Sequence, residues 1–115
     1  MRRGEVRLAD LDPALGSEAS KRRPVVIVSN DGANTRATEL GRGVITVVPI
    51  TSNVSRVRTF QVLLETGSAG LGRTSKAQAE QVRSIDVSRI GLRLGQLSPS
   101  LTAELDDALR LHLGL

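Results

Sequence analysis

The sequence of 115 residues contains no cysteine and only one histidine, His112. Without cysteine the chain forms no disulfide, carries no thiol nucleophile and offers no Cys-based metal site. One histidine cannot form a metal-binding cluster or a pair of imidazoles that share acid and base roles. We therefore expect neither a metal ion nor a cofactor. Because His112 follows Leu109 by three residues in an apolar helical pattern, we expect it to be packed or to lie in a dimer interface.

Aromatic residues and long apolar runs are also scarce. Phe60 is the only Phe, Tyr or Trp, which excludes binding modes that stack bases on an aromatic platform. No apolar run approaches the ~20 residues of a membrane-spanning helix, and residues 1–5 lack the apolar stretch of a signal peptide. We expect a soluble, cytoplasmic protein whose residues 1–115 form a single domain.

The charges that are present sum to +4, and the excess lies in the first two-thirds of the chain. Residues 1–80 carry 12 Lys or Arg and 8 Asp or Glu, whereas residues 81–115 carry four of each. Fourteen of the sixteen cations are arginine, which binds phosphate bidentately and stacks on bases. A nucleic-acid partner explains this excess, and so does a GC-rich genome that encodes arginine in place of lysine. Composition alone does not separate the two explanations.

The residues around two adjacent arginines, Arg22 and Arg23, have the pattern of an anion-binding site. Gly16–Ser20 is small and polar, which predicts a surface loop, and Val25–Val28 is a β-branched run, which predicts a strand buried on both faces. Pro24 favours an extended conformation at the residue before it, so the two arginines point to opposite sides of the chain. One of them can therefore be held rigidly at the root of a buried strand, facing whatever the loop covers.

Runs of apolar residues predict a series of short strands. They span residues 5–10, 24–29, 43–50, 60–64, 74–79, 81–85 and 93–97. Alternation in the first strand predicts a buried side with Val6 and Leu8 and a solvent-facing side with Glu5 and Arg7. Pro49 lacks an N–H for the strand ladder, so we expect it at an edge or at the exit of its strand. Residues 31–41 and residues 86–90 are each predicted to hold one helical turn.

The end of the chain changes to helical spacing. Ser98 is a good N-cap, Pro99 suits the first helical position and Gly114 ends the pattern, which predicts an amphipathic helix over residues 99–113. Short strands followed by one helix predict a mainly β fold with a C-terminal α-helix. We expect a small, strongly bent barrel that this helix caps.

Seven short blocks along the chain form a specific combination. They are Arg3-Gly4-Glu5, Asp10-Leu11-Asp12-Pro13, Gly16-Ser17-Glu18, Arg23-Pro24-Val25-Val26, Pro49-Ile50-Thr51-Ser52-Asn53, Phe60-Gln61-Val62-Leu63-Leu64 and Ala79-Glu80-Gln81-Val82-Arg83-Ser84-Ile85. In this order and spacing the blocks resemble the toxins of the MazF/PemK/Kid family, and the resemblance covers residues 3–113. It implies an SH3-like small barrel of the MazF/Kid/CcdB type and a homodimer.

The resemblance also implies a function, that of the toxin of a type II toxin–antitoxin module. Such toxins are metal-independent endoribonucleases (mRNA interferases) that cut single-stranded mRNA at short sequences. A MazE-like antitoxin neutralises them by laying an acidic C-terminal segment over the RNA groove. Cleavage without metal needs no protein nucleophile, because the neighbouring 2′-OH can attack phosphorus and expel the 5′-oxygen. The expected products are a 2′,3′-cyclic or 3′-phosphate and a 5′-OH.

Three residues are candidates for catalytic roles. The family's catalytic arginine precedes the proline, which makes it Arg23 here, and its catalytic threonine follows the third strand, which makes it Thr51. A guanidinium fork fits two phosphate oxygens and stabilises added negative charge, and a hydroxyl at a strand exit can meet the same phosphate. Glu18, on the loop opposite Arg23, is the candidate general base or reader of a base edge. The structural alternatives are an arginine paired with a carboxylate, a turn threonine and a solvated loop carboxylate.

Further residues are candidates for binding RNA. They are Gly16, Ser17, Lys21, Ser52, Asn53, Arg56, Arg58 and Gln81. We expect the cations to contact backbone phosphates and Gln81 to reach a base edge, although a solvated basic surface also explains the cations. Two positions depart from the family pattern. Arg7 stands where the family usually has Trp or Tyr, and Arg58-Thr59 stands where it commonly has an aromatic residue followed by proline.

Two other functions remain open from the sequence. A gyrase-poisoning toxin of the CcdB type shares the fold without being an enzyme. That class acts through a C-terminal aromatic tail, whereas this chain ends in His112-Leu113-Gly114-Leu115. A small barrel that only binds RNA or a protein partner is the second alternative. Incubation with a long unstructured RNA in EDTA separates all three functions.

Overall fold

The computed structural model describes residues 1–13, 15–19 and 21–115. Residues 14 and 20, which the sequence assigns to the loop before the second strand, lie outside this description. The described residues form β1 (Glu5–Asp10), β2 (Arg22–Ile27), α1 (Asp31–Leu40), β3 (Val44–Thr51), β4 (Gln61–Leu64), β5 (Ser75–Gln78), β6 (Arg83–Asp86), β7 (Ile90–Gln96) and α2 (Pro99–Leu113). Short 3-10 turns lie at Ser68–Gly70, Ala79–Gln81 and Val87–Arg89. Within these residues, neither α-helix has the length and apolar character to cross a membrane.

Each predicted strand has a counterpart, and the largest difference is at the start of β7, which begins at Ile90, three residues before the predicted start. β2 begins at Arg22 and ends at Ile27, in each case two residues before the prediction, and β6 begins at Arg83, two residues after it. The early start of β2 matters most, because it places both adjacent arginines inside the strand. Their backbone is then fixed by pairing with β1, where Arg22 lies opposite Asp10 and Arg23 opposite Ala9.

The strands pair antiparallel in the order β4-β5-β3-β2-β1-β7, and β6 pairs with β3 outside this path. Along one edge of β3, Val44–Val47 pair with β6 and Ile50–Thr51 pair with β5. Pro49 lies between these two partners and pairs on the other edge with Val25. Because proline has no N–H to donate, Pro49 suits the point where β3 changes partner from β6 to β5, near the predicted strand exit. Among the described residues the path of pairs ends at β4 and β7, so the predicted barrel is an open, bent sheet.

Two apolar clusters lie on opposite sides of the central strands. The first contains Val26 and Leu105, so it fills the space between the sheet and α2. The second contains Val25, together with Ala37 of α1 and Ala19 of the loop between β1 and β2. Adjacent residues of β2 alternate between the clusters because successive side chains of a strand point to opposite faces. The same alternation assigns each of the two arginines at the start of β2 to one side.

The C-terminal helix α2 confirms its prediction at both ends. The Ser98 hydroxyl accepts from the Leu101 N–H at 3.2 Å, Pro99 occupies the first turn and Gly114 closes the helix with a φ of 71°. That φ lies in the left-handed region, which glycine adopts at little cost. His112 is exposed, and its ring centroid lies 6.4 Å from that of Phe60. The expectation of a packed histidine is therefore wrong for the single chain, while a place in a dimer interface stays a prediction.

The prediction of one helical turn over residues 31–41 is wrong, because α1 has ten residues. Asn30 caps its start by accepting from the Ala33 N–H at 2.8 Å, and Gly41 ends it with a φ of 65°. Asn34 is fully buried and donates from Nδ2 to the Ser29 carbonyl at 2.8 Å. The apolar pattern missed this helix because its buried face holds an asparagine and an alanine rather than large apolar residues.

The first strand also departs from simple alternation. Glu5, predicted to face solvent, is only 7% exposed. Its Oε1 pairs with the Arg7 guanidinium at 3.1 Å and with that of Arg93 on β7 at 3.4 Å. A carboxylate this buried requires charged or hydrogen-bonding partners, so these two arginines belong to the packing of β1 against β7. Arg7, at a position where the resemblance implies an aromatic residue, is therefore an ion-pair partner of Glu5.

Candidate active site

Three side chains with complementary chemistry lie in one row across the strands. In the β2–β3 ladder Val25 lies opposite Pro49, and this register, continued by two residues, sets Arg23 opposite Thr51. On the other edge of β3, Thr51 pairs with Lys76 of β5. All three residues are partly buried. The row therefore places a threonine between an arginine and a lysine, a set of side chains suited to one bound anion.

The two adjacent arginines lie on opposite faces, as the sequence predicts. Arg23 is two residues from Val25 and shares its face, which is the side of the second apolar cluster and of Ala19 in the loop. Arg22 is exposed on the other face, where its Nη2 would lie 3.2 Å from a Cβ added to Gly91. Only Arg23 therefore shares a face with Thr51.

The loop between β1 and β2 carries Glu18 at an exposed turn. The Glu18 N–H donates to the Leu15 carbonyl at 3.0 Å, and Gly16 inside this turn has a φ of 57°. Glycine adopts this left-handed conformation without a steric penalty, which explains its place in the turn. Gly16, Ser17 and Glu18 are exposed, whereas Ala19 is only 7% exposed and packs in the second cluster.

The base of this loop is fixed by polar contacts. The Leu11 N–H donates to the Lys21 carbonyl at 3.0 Å, and the Lys21 N–H donates to Asp12 Oδ1 at 2.7 Å. Arg89 donates to the Asp12 carbonyl at 2.6 Å. Lys21 has a φ of 66°, a conformation that costs a non-glycine residue about 1 kcal/mol. This strained residue lies immediately before β2, and strain of this kind is common at functional sites.

Gln81, predicted to reach a base edge, contacts the middle of the same loop. Its Nε2 donates to the Ser17 carbonyl at 2.9 Å, and its Oε1 accepts from the Ala19 N–H at 3.0 Å. A cavity of about 350 Å³ beside it is lined by Glu18, Glu80, Gln81, Val82 and Arg83. Gln81 and Glu18 therefore line one cavity. The Gln81 amide also hydrogen-bonds to the backbone of the residues before and after Glu18.

A second loop, residues 52–60, follows Thr51 and is ordered by its own polar groups. Thr51 Oγ1 accepts from the Asn53 N–H at 3.2 Å, and Asn53 Oδ1 accepts from the hydroxyl of Ser55 at 2.9 Å. The Lys76 ammonium donates to the Arg56 carbonyl at 2.6 Å. These contacts hold the loop beside the row, and they leave the Thr51 hydroxyl proton able to donate to a ligand.

The remaining candidates of this loop lie nearby with exposed side chains. Arg56 and Arg58 are exposed, as expected for contacts with a ligand backbone or for a solvated surface. The Arg58 N–H donates to Gln61 Oε1 at 2.9 Å, which fixes the turn before β4. Ser52 is exposed and lines a second cavity, of about 220 Å³, together with Pro24 and others.

Three cations of this region were not predicted from the sequence: Lys76, Arg73 and Arg83. Lys76 lies in the row, Arg73 lines the 220 Å³ cavity and Arg83 lines the 350 Å³ cavity. Arg83 also donates to the Leu11 carbonyl at the base of the first loop at 3.4 Å. One signal was available for Lys76, because it alternates with the buried Ala77 within a predicted strand.

The 3-10 turn that follows β6 is stabilised by Asp86. Its Oδ1 accepts from the Ser88 N–H at 2.9 Å. Hydrogen bonds from the side chain and the backbone of Ser88, with a smaller contribution from the Arg89 charge, hold the pKa of Asp86 below its usual value. Asp86 therefore stays ionised as the cap of this turn well below neutral pH.

The fold and the row together define a class: a small β protein with a C-terminal helix and a candidate anion site formed by cations and a threonine. Residues 2–113 match the family described as PemK-like, MazF-like toxin of type II toxin–antitoxin system. The chain is 58% identical over 115 residues to the endoribonuclease MazF9 of Mycobacterium tuberculosis, with 100% of this chain and 98% of that protein covered. The chain therefore belongs to this toxin family, and it is a MazF-type endoribonuclease.

Solved structures agree with this assignment. A crystal structure of MazF from Deinococcus radiodurans has a TM-score of 0.80 at 26% identity and covers 100% of this chain and 97% of its own. A mycobacterial endoribonuclease in complex with its cognate antitoxin has a TM-score of 0.79 at 23% identity, covering 100% of this chain and 96% of its own, and shows the shared fold. The resemblance drawn from the seven sequence blocks is confirmed, as is the mainly β fold with a C-terminal helix.

Proposed function

We propose that this endoribonuclease cleaves single-stranded mRNA at short sequences without a metal ion, by attack of a ribose 2′-OH on the adjacent phosphorus. The observation that carries the proposal is the row in which Thr51 lies between Arg23 and Lys76. Such a row can bind one phosphate and stabilise the negative charge that develops on it. The products are a 2′,3′-cyclic or 3′-phosphate and a 5′-OH.

Each step of this reaction has a residue of suitable chemistry. The Arg23 guanidinium donates to two phosphate oxygens, and the Thr51 hydroxyl donates to the same phosphate. Glu18 accepts the proton of the attacking 2′-OH as general base. A bond then forms between the 2′-oxygen and phosphorus while the bond to the 5′-oxygen breaks. The leaving alkoxide is basic enough to take a proton from the Arg23 guanidinium.

The RNA strand is proposed to run past both loops. Gly16, Ser17 and Lys21 contact it from the first loop, and the second loop contributes Ser52, Asn53, Arg56 and Arg58. The cations contact phosphates, which fix the strand in place without reading its sequence. The contacts of Gln81 with the first loop suggest a different role for this residue.

The chain is proposed to act in the cytoplasm as a homodimer of one domain, residues 1–115, with a MazE-like antitoxin as its inhibitor. The end of α2 exposes Leu111 and Leu113, and Leu115 follows them at 86% exposure. Exposed leucines grouped at one end of a helix suit a contact between protein chains. The net charge of +4 suits the acidic C-terminal segment of the antitoxin.

The direct test is incubation of the purified protein with a long unstructured RNA in EDTA. We expect cleavage without added metal and products with 5′-OH ends, because the attacking group comes from the RNA itself. A requirement for added Mg²⁺ or Zn²⁺ would contradict this mechanism. RNA that is bound but stays intact would support the non-catalytic RNA-binding barrel instead.

A second expected result concerns the antitoxin. If its acidic segment and the RNA occupy the same cationic groove, saturating antitoxin should abolish RNA binding as well as cleavage. The measurement is RNA affinity by fluorescence anisotropy with and without the antitoxin, which we expect the neighbouring gene to encode. RNA affinity that is unchanged at saturating antitoxin would show that the two do not share a groove.

A further inference from the structure

We propose that Gln81 is a positioning residue that fixes Glu18, the general base of the proposed reaction, by clamping the loop backbone on both sides of it. Its amide donates to the carbonyl of Ser17 at 2.9 Å and accepts from the N–H of Ala19 at 3.0 Å. The two bonds bracket Glu18 in the sequence. This inference rests on the proposed function, since it assigns how the general base of that reaction is kept in place.

The chemistry of the clamp requires an amide. A side-chain amide presents one donor and one acceptor side by side, as a peptide group does, so it can satisfy a backbone carbonyl and a backbone N–H together. A carboxylate retains only the acceptor, and an aliphatic side chain retains neither. Because both amide heteroatoms contact the loop, the Gln81 side chain acts through the loop rather than on a base edge.

The support of Gln81 is rigid, which a clamp needs. It ends the 3-10 turn Ala79–Gln81, whose first residue is fully buried in the first apolar cluster. The neighbouring Glu80 accepts from Gln61 Nε2 at 2.6 Å, which ties the turn to β4. In the second half of the loop Ala19 is buried, whereas the tip of the loop is exposed. The clamp therefore joins an exposed loop tip to a turn that is anchored in the first apolar cluster.

The cavity beside the clamp shows that Glu18 and Gln81 face one common space. Glu18 and Gln81 line the same space of about 350 Å³, and Arg83 lines it as well. A loop that is free to swing would leave Glu18 unplaced while Arg23 and Thr51 stayed fixed in their strands. Loss of the clamp should then slow the chemical step more than it weakens RNA binding.

The test compares Gln81→Ala and Gln81→Glu with a matched control, Gln96→Glu. Gln96 also donates from Nε2 to a backbone carbonyl, that of Arg3 at 3.2 Å, but on β7. In Gln81→Ala we expect roughly tenfold lower kcat with KM within about twofold, the size expected for one or two lost hydrogen bonds. The kcat of Gln81→Glu should lie between that of Gln81→Ala and that of the native chain. Gln96→Glu should cleave at the native rate.

Two further measurements distinguish the clamp from direct contact with a base. Hydrogen exchange of the Ala19 amide should be roughly tenfold faster in Gln81→Ala, since its acceptor is gone. The set of cleaved sequences should stay the same. Unchanged Ala19 exchange, unchanged kcat, or relaxed preference at one nucleotide would each overturn the proposal. The exchange measurement needs no RNA, so a native chain that cleaves no RNA refutes the proposed function without deciding the clamp.

Discussion

Replacement of Arg23 by alanine is expected to lower the rate of RNA cleavage by about 10²–10³, the typical cost of removing one charge-stabilising donor from such a site. The reason is the position of Arg23 in the row, opposite Thr51 and on the face of the loop. Single-turnover cleavage of a short RNA measures the rate. Size-exclusion chromatography and circular dichroism should show that the variant keeps the assembly and the fold of the native chain.

Arg22→Ala is the matched control, because it removes the same side chain one residue away. Arg22 lies on the opposite face, near Gly91. The variant should cleave at close to the native rate and show a weaker salt dependence of RNA binding. Arg23→Lys should restore little activity, since an ammonium cannot bind two phosphate oxygens as a guanidinium fork does. An inactive Arg22→Ala beside an active Arg23→Ala would show that the register relevant to catalysis is shifted by one residue.

Local sequence patterns were sufficient to predict an element whose limits are set by its own residues. The limits of α2 follow from Ser98, Pro99 and Gly114, and the structure confirms both limits. The opposite orientation of the two arginines follows from Pro24 and the period of a strand. In each case the decisive interactions lie within a few residues, so propensity and capping rules apply directly.

Local sequence patterns did not predict the structure where a buried face has an unusual composition or where the decisive contact comes from a distant part of the chain. α1 was predicted as one turn because it buries Asn34, whose hydrogen bonds to Ser29 no apolar pattern reveals. Glu5 was expected in solvent, yet Arg93 approaches it from a strand near the other end of the chain. An ion pair of this kind depends on strand order, which local pattern does not specify.

In the candidate site, some residues could be predicted from the sequence and others could not. Arg23, Thr51 and Glu18 were singled out from motif and resemblance, and the structure places the first two in one row. The clamp on Glu18 could not be found in the same way, because Gln81 is separated by more than 60 positions from the loop that it contacts. Lys76 was missed because one lysine in a short strand resembles any solvated charge until Thr51 is known to lie opposite it.

A substrate with 2′-deoxyribose at the cleaved nucleotide is expected to resist cleavage completely while it still binds. The reaction proposed here uses the 2′-OH on the 5′ side of the scissile phosphate as nucleophile, and no side chain of the row can replace it. In the proposed mechanism Arg23, Lys76 and Thr51 act on the phosphate, which the modified substrate retains. Its affinity should therefore stay close to that of the unmodified RNA.

The matched control carries the same 2′-deoxyribose one nucleotide further along, on the 3′ side of the cut. That oligonucleotide keeps the attacking hydroxyl, so it should be cleaved at close to the unmodified rate. Gel analysis of 5′-labelled oligonucleotides with Arg23→Ala as the inactive reference measures both rates. Cleavage at the modified nucleotide would mean that water or a protein group attacks the phosphorus, and Glu18 would then have to activate that group instead of the ribose.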